Sequence, residues 1–207
     1  MADLPILFSA PMVLALLAGT KTQTRRVAKV KPGVLLPDIS QWADAGEGRA
    51  RAVFARDQIA DPRVAVGDRL YVRETFGNAA MSGYDPVWFY RADPETALPP
   101  GFKWKPAIHM PRVASRITLT VTDVRVQRLQ EISEDDAIAE GLTPTHLADG
   151  GHGWSAGDFA ATHDPRDAFR DLWGRINGSG SLDANPWCAA YSFTIALGNI
   201  DQIGGAP

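Results

Sequence analysis

Side chains that could carry out chemistry are concentrated in the segment 19–26. This segment reads Gly-Thr-Lys-Thr-Gln-Thr-Arg-Arg, and five cations but no acid lie between positions 21 and 31. A local cluster of cations in a chain with a net charge of −3 is a candidate site for an anion or a nucleotide. A charged edge strand that discourages aggregation has the same composition. The pattern alone leaves both interpretations open.

A second candidate is Glu140, which comes one residue before Gly141, the predicted end of a helix. A carboxylate at that position faces the negative end of the helix dipole, which is locally unfavourable. A residue placed against its local preference often has a tertiary reason. An ordinary surface glutamate is the alternative.

Other side chains are candidates for ligand contacts. Arg73 and Glu74 end an apolar strand and point to opposite faces, so we expect one of them to be buried. A buried Glu74 must be paired, with Arg26 or Arg73 as its partner. Trp104 and His109 belong to a proline-containing loop with an aromatic side chain and cations, and such loops can cradle a base by stacking. Packing is the alternative for this loop.

Metal and nucleophile patterns are weak elsewhere in the chain. None of the four histidines is at helix spacing from another or in a His–acid–His pattern, so we predict no metal site. Cys188, beside Trp187, is predicted to be buried and inert. The sequence has no Gly-x-Ser-x-Gly elbow and no glycine-rich phosphate loop before a helix. We therefore expect no cofactor.

Composition limits the class of protein. The chain has 207 residues, of which 45% are hydrophobic and 22% charged, which is typical of one globular domain with elaborated loops. Six Trp and eight Phe exclude a disordered tail protein. The single cysteine excludes an intramolecular disulfide framework and a multi-cysteine zinc module, so we expect a cytoplasmic location. The negative charge argues against a long nucleic-acid footprint, but it permits a nucleotide or a short RNA.

The apolar N-terminal segment imitates a signal peptide. It has no Lys or Arg before Lys21, and Pro5 and Pro11 interrupt the apolar run. A membrane helix needs about 20 consecutive apolar residues, and the chain has no such run. We expect this segment to be core and the protein to have no membrane partner.

The elements that must position the candidates alternate between strands and short helices. Pro11 and Gly19 are predicted to bound the first helix, and the alternation of Thr22, Thr24 and Arg26 predicts one face of a strand. Ser133 is predicted to cap a helix that ends at Gly141, and Asp164 to begin another helix. Strands are predicted at 69–74, 87–91, 114–129 and 187–197. The change of parity near Asp123 predicts a bulge or a change of strand.

Long loops are predicted at about 32–63, 77–106 and 143–165. Strands and helices interleave without a regular βαβ pattern. The sequence therefore predicts an α+β fold, a small mixed β-barrel or curved sheet flanked by short helices, in one domain spanning 1–207.

Gly19, Lys21, Thr22, Thr24 and Arg26, after a short apolar helix, resemble the G-x-K-T-x-T-x-R signature of the ASCH domains, relatives of the PUA-like barrels. The Gly-Asp turn at 67–68 with the strand after it resembles a second family feature. The strand–helix unit at 121–141, which ends in an acidic residue, resembles a third. The segments 109–112 and 185–187 resemble the longer ASCH-like proteins of phages and prophages.

This resemblance implies a small β-barrel with helices around one cleft. Some ASCH members are amidohydrolases that remove the acyl group from N4-acetylcytidine and similar N4-acylated cytosine derivatives. Their catalytic lysine, threonine and glutamate match Lys21, Thr24 and Glu140, and the signature arginine matches Arg26. Other members are proposed to bind or cleave RNA, which gives the alternative function. A phage regulatory protein without chemistry is a third hypothesis.

We therefore expect a metal-independent amidohydrolase for a small nucleoside or nucleobase, with no obligate protein partner. Thr24 is the expected nucleophile, activated by Lys21, and Glu140 orients Lys21 or transfers a proton. In the alternative mechanism Glu140 activates water, while Lys21 and Thr24 bind the oxyanion. Substrate binding is assigned to Arg26, Thr22, Glu74, Trp104 and His109.

Overall fold

A computed structural model describes residues 1–28, 64–79, 86–93, 97–157 and 160–203. The predicted loop at 32–63 lies outside the described residues. The strands are β1 Asp3–Leu7, β2 Gln23–Val27, β3 Arg69–Arg73, β4 Phe76–Ala79, β5 Val87–Tyr90, β6 Ile117–Arg128, β7 Thr143–His146, β8 His152–Ser155 and β9 Trp187–Leu197. The α-helices are α1 Ala10–Leu17, α2 Glu134–Ala139 and α3 Pro165–Asn177. The predicted α+β class is confirmed.

Five strands form the main sheet in the order β1-β3-β6-β9-β2. β1 runs parallel to β3, and every other neighbouring pair is antiparallel. β1 and β2 are the two edges, yet Arg26 of β2 donates a hydrogen bond from Nη2 to the carbonyl oxygen of Leu7 in β1, at 2.9 Å. The sheet therefore curves until its edges approach each other. In the described part of the chain no strand ladder closes this sheet into a barrel.

The long pair β6–β9 contains the predicted bulge. Its register runs from Ile117 opposite Leu197 to Arg128 opposite Trp187, with a shift between Val121 and Asp123. The shift follows from the apolar pattern, which changes parity after Val121 because the buried side chains must stay on one face. The observed bounds of β9 are those predicted.

The helix ends also follow the sequence. Pro11 is in the first turn of α1, and Gly19 follows the helix with φ of +73°. The Ser133 hydroxyl caps α2 by accepting from the backbone N–H of Asp136 at 3.2 Å. The Asp164 carboxylate caps α3 by accepting from a backbone N–H at 2.8 Å. These four residues confirm the predicted boundaries because each supplies the terminal group or backbone angle that a helix end needs.

Two loop predictions are wrong in part. The segment 143–165 carries the antiparallel hairpin β7–β8, and β4 extends into the predicted loop at 77–106 to pair with β5. The strands of both hairpins are only four residues long, and β7–β8 contains proline, glycine and histidine, so its composition resembled a loop. A Cβ on Gly153 would lie 2.6 Å from the carbonyl oxygen of Thr162, so glycine here permits a third segment to approach.

The core lies between the main sheet and the helices. Its fully buried members include Val13 and Leu16 of α1, Leu70 of β3, and Ile117 and Leu119 of β6. A smaller cluster around Phe76 and Met110 packs beside the β4–β5 hairpin. Across the described ranges, no helix is long and apolar enough to cross a membrane.

Candidate active site

Lys21 is placed at the sheet by the turn that ends α1. Its backbone N–H donates to the carbonyl oxygen of Ala15 at 3.1 Å, and Thr20 donates to the same oxygen at 3.0 Å. These bonds satisfy the last turn of the helix and direct the chain inward through Gly19. The Lys21 side chain is only 2% exposed. A lysine buried to this extent requires an acidic partner.

Glu140 is placed against Lys21 by the end of α2. It is the C-cap residue of that helix, and it forms an isolated β-bridge with Lys21. Gly141 follows with φ of +102°, and a Cβ there would lie 2.9 Å from the Cβ of Lys21. Glycine is therefore required twice at this position, by its backbone angle and by the close approach of the two chains.

The carboxylate of Glu140 is shared by two cations. Lys21 Nζ donates to the Glu140 carbonyl oxygen at 2.7 Å and to Oε2 at 2.8 Å. Arg25 Nη1 donates to Oε1 at 3.2 Å. These contacts are the tertiary reason expected for an acid at the unfavourable end of a helix. They also place the Lys21 cation at the terminal carbonyl, where the helix dipole favours positive charge.

Thr24 lies in β2 with its side chain 1% exposed. Its Oγ1 accepts a hydrogen bond from Nη1 of Arg26 at 2.9 Å. The guanidinium of Arg26 also lies over the ring of Phe8, 5.1 Å from the ring centre. The bond from Arg26 uses a lone pair of the hydroxyl, so the hydroxyl proton can still be donated.

Burial lowers the pKa of Lys21 below the ordinary lysine value. The carboxylate of Glu140 opposes this shift, and the positive charges of Arg26 and Arg25 add to it. The environment therefore favours the neutral amine more than water does. A shift in this direction is the one that a lysine acting as a base requires.

A second layer of ion pairs supports Arg25. Its Nη2 donates to Oδ2 of Asp136 at 2.7 Å, while Arg125 contacts both oxygens of Asp136 at 2.7 and 3.2 Å. Gln23 Nε2 donates to Oδ1 at 3.0 Å. Burial alone would raise the pKa of Asp136, but the hydrogen bonds from Arg125 and Gln23 and the charge of Arg25 lower it to about 2. Asp136 is therefore an anion at neutral pH, and it supports Arg25 from behind the residues of the site.

Lys21, Thr24 and Glu140 line a cavity of about 260 Å³, which we call the Lys21 cavity. Its polar side consists of side chains that carry charge or a hydroxyl: Lys21, Thr24, Arg25, Arg26 and Glu140. Its apolar side combines the end of β1, the start of α1 and one face of α3: Phe8, Met12, Phe169, Leu172, Trp173 and Ile176. The structure thus brings together the three expected catalytic residues and Arg26 at one cavity.

Glu74, predicted to bind substrate, does not line this cavity. It is 1% exposed, and Arg116 binds its two oxygens at 2.9 and 3.1 Å. The expectation that Arg26 or Arg73 pairs with it is wrong, because Arg73 instead donates to the carbonyl oxygen of Met110 at 2.8 Å. Glu74 belongs to a structural ion pair at the end of β3.

Thr22, Trp104 and His109 are also not among the residues that line the Lys21 cavity. Thr22 is exposed, and its backbone N–H donates to the carbonyl oxygen of Ala139 at 2.9 Å. Trp104 packs edge-on against Phe102, with ring centres 5.0 Å apart. His109 is exposed. Thr22 therefore secures the backbone between β2 and α2, and the packing alternative describes the contacts of Trp104.

Sequence reasoning missed the part that α3 plays in the site. Phe169, Leu172, Trp173 and Ile176 follow the i, i+3, i+4, i+7 spacing of one helix face, and that spacing is the same for a face that packs in the core. Arg25 was recognised as a cation near Lys21, but its contact with Asp136 joins two distant elements. No local pattern encodes such a contact.

Among the described residues, no three His, Cys, Asp or Glu side chains are grouped as metal ligands would be. No protein-family model, no curated protein and no solved structure matches the chain. The proposal that follows is based on the residues of the Lys21 cavity and on the resemblance of the segment 19–26 to the ASCH signature.

Proposed function

We propose that the chain is an amidohydrolase of the PUA-like ASCH type that removes the acyl group from N4-acylated cytidine or cytosine at the Lys21 cavity. One observation carries the proposal: a buried lysine, held by Glu140, shares a cavity with a buried threonine hydroxyl. Amide hydrolysis needs a nucleophile, a base and stabilisation of charge at the carbonyl oxygen. Thr24, Lys21 and Arg26 supply these three functions.

The number of hydrogen bonds at Lys21 supports its function as the base. A neutral amine has two N–H donors and one lone pair. The two bonds from Nζ to Glu140, at 2.7 and 2.8 Å, account for both donors. The lone pair then remains to accept a proton, which in the proposed reaction comes from Thr24. Burial lowers the pKa of Lys21, which favours this neutral form.

The reaction then proceeds in two stages. Lys21 takes the hydroxyl proton as Thr24 Oγ1 attacks the acyl carbon, and Arg26 provides positive charge beside the tetrahedral oxyanion. Lys21 returns the proton to the exocyclic nitrogen as the carbon–nitrogen bond breaks, which leaves an ester on Thr24. Water attacks this ester, Lys21 accepts its proton and passes it to Oγ1, and the carboxylic acid leaves.

Glu140 positions the base in this scheme. Both of its carboxylate oxygens already accept hydrogen bonds from cations, at 2.8 Å from Lys21 and 3.2 Å from Arg25. A proton taken from water would remove the negative charge of Glu140 that pairs with Lys21 and Arg25 in the buried site. The alternative in which Glu140 activates water directly is therefore less favoured than attack by Thr24.

The alternative RNA function has less support at this cavity. Lys21 and Arg25 are neutralised by Glu140 and Asp136, so the basic cluster of the sequence offers phosphate fewer free charges than expected. The cavity of about 260 Å³ is just below the roughly 300–1,000 Å³ common for small-molecule sites. A small ligand fits this volume better than an extended strand does.

The test is turnover of N4-acetylcytidine by the chelator-treated protein. The reaction is monitored through the change in ultraviolet absorbance as cytidine forms. Lys21→Ala and Thr24→Val should each reduce kcat/KM at least 100-fold, as the loss of a base or a nucleophile does. Thr24→Ser should retain measurable activity because it keeps the hydroxyl. Thr194→Val, an exposed threonine of β9 outside the cavity, is the matched control and should behave like the wild type.

Rapid quenching and mass analysis separate the two mechanisms. One acyl group on the peptide that contains Thr24 is expected if the hydroxyl attacks. Turnover without this adduct would favour activated water. Near-wild-type rates in the Lys21 and Thr24 variants, or no turnover of N4-acetyl and N4-benzoyl substrates, would remove the proposed function.

A further inference from the structure

The Lys21 cavity has two chemically different sides, and the proposed reaction uses only one. The charged and hydroxyl groups come from the start of β2 and the end of α2. The apolar lining includes the face of α3 formed by Phe169, Leu172 and Trp173, which are 2%, 7% and 5% exposed. This apolar face lines the cavity without a function in the bond-breaking steps.

An N4-acylated cytidine also has two chemically different parts. The acyl carbon must lie at Thr24, and the cytosine and ribose carry hydrogen-bonding groups that cost free energy when buried against hydrocarbon. The tail of the acyl group has no such groups beyond its carbonyl. The apolar face of α3 therefore complements the acyl tail, and the side with Arg26 complements the polar nucleoside.

Exposure increases along this face of α3. Phe169 and Trp173 are buried, whereas Ile176, one turn later, lines the cavity and is 63% exposed. An acyl tail lying along the face could therefore extend toward solvent. A site for acetyl alone would need a closed wall close to Thr24.

We propose that the face of α3 formed by Phe169, Leu172, Trp173 and Ile176 binds the acyl group, and that the protein prefers apolar acyl groups longer than acetyl. This inference rests on the proposed function for the position of the acyl carbon. Each added methylene that leaves water strengthens binding by about two- to fourfold, until the tail passes Ile176.

The experiment measures binding separately from turnover. Calorimetry with the Thr24→Val protein, which lacks the nucleophile, gives the Kd of N4-acetyl-, N4-butanoyl- and N4-hexanoylcytidine. The series is repeated in a Thr24→Val/Ile176→Asp protein, in which a carboxylate stands at the end of the face. Thr24→Val/Val113→Asp is the matched control, because Val113 is a similarly exposed aliphatic residue, 68% exposed, outside the cavity.

The expected result is a Kd that falls with chain length. The ratio of the acetyl Kd to the hexanoyl Kd should be at least threefold smaller in the Thr24→Val/Ile176→Asp protein than in the Thr24→Val protein, and unchanged in the Thr24→Val/Val113→Asp protein. Equal affinity for all chain lengths, no binding, or an equal ratio in the two Asp variants would overturn the inference. Wild-type turnover of the same compounds is measured in parallel. Binding that depends on chain length without turnover would leave the acyl site in place and refute the proposed hydrolysis.

Discussion

Replacing Asp136 by Asn tests whether the second layer of ion pairs stabilises the fold. Asp136 contacts Arg25, Arg125 and Gln23, and its side chain is 13% exposed. Its pKa falls from the usual 3.8 to about 2 in the folded protein. A difference of this size between folded and unfolded states corresponds to about 2 kcal/mol of unfolding free energy at neutral pH.

The sign of the pH dependence follows from the direction of the shift. The folded state binds the Asp136 proton more weakly than the unfolded chain does, so the contribution is fully present above about pH 4. It decreases as the pH falls, with about half remaining at pH 3, and it is lost below the folded pKa of about 2. The Asn variant should lack this component of acid destabilisation.

Urea unfolding at pH 7, 5, 3.5 and 3 measures both effects. Asp135→Asn is the matched control, because Asp135 is an exposed residue of the same helix and its loss changes net charge equally. At pH 7 the midpoint of Asp136→Asn should be about 1 M urea below that of the control, and the gap should narrow toward pH 3. Equal midpoints for both variants at pH 7, or a gap that does not narrow in acid, would refute the assigned ion pairs.

Three further predictions concern the site and the core. Glu140→Gln removes the carboxylate that raises the pKa of Lys21, so the rising limb of kcat/KM against pH should move to lower pH; a limb that stays or moves upward contradicts the pairing. Gly141→Ala should lower the melting temperature and kcat more than Gly67→Ala, since φ is positive at both but only at 141 would Cβ lie 2.9 Å from Lys21 Cβ; equal losses would show that the close approach is unimportant. Burial raises the pKa of Cys188 to about 12, so a thiol reagent should label it only in denaturant, and labelling of the folded protein would contradict its burial.

Elements with strong local signals could be predicted from the sequence. The strand Trp187–Leu197 and the bulge before Asp123 follow from runs of β-branched and aromatic residues and from a change of parity. The sequence pattern does not indicate the hairpin β7–β8, and Trp154 of β8 also pairs with Thr162, a contact that no local signal predicts. A strand of four residues has too few positions to show a clear alternation of apolar and polar side chains, and the proline and glycine within it indicate a loop.

Two parts of the candidate site could be predicted from local sequence: the residues of one short segment, and an acid at the unfavourable end of a helix. The segment 19–26 supplied Lys21 and Thr24, and the unfavourable position of Glu140 indicated a distant partner. The pairing of Glu74 with Arg116 required the register between β3 and β6 and the chain that follows β3, which the sequence does not specify. The face of α3 is equally compatible with a core and with a cavity wall, so only the tertiary structure distinguishes them.

The arrangement of charges matches the change of protonation state that the proposed reaction requires of the buried Lys21. If Glu140 had only Lys21 as a partner, each neutral lysine would leave a buried carboxylate unpaired, at a cost of several kcal/mol. Arg25 contacts the second oxygen of Glu140 at 3.2 Å and remains charged throughout. Asp136 in turn binds Arg25 at 2.7 Å. The guanidinium therefore stays beside Glu140 when Lys21 gains or loses its proton. Glu140 therefore keeps Arg25 as a fixed counter-ion when Lys21 is neutral. Hydrophobic residues of the same volume in place of these ion pairs could stabilise the fold, but they would provide no counter-ion.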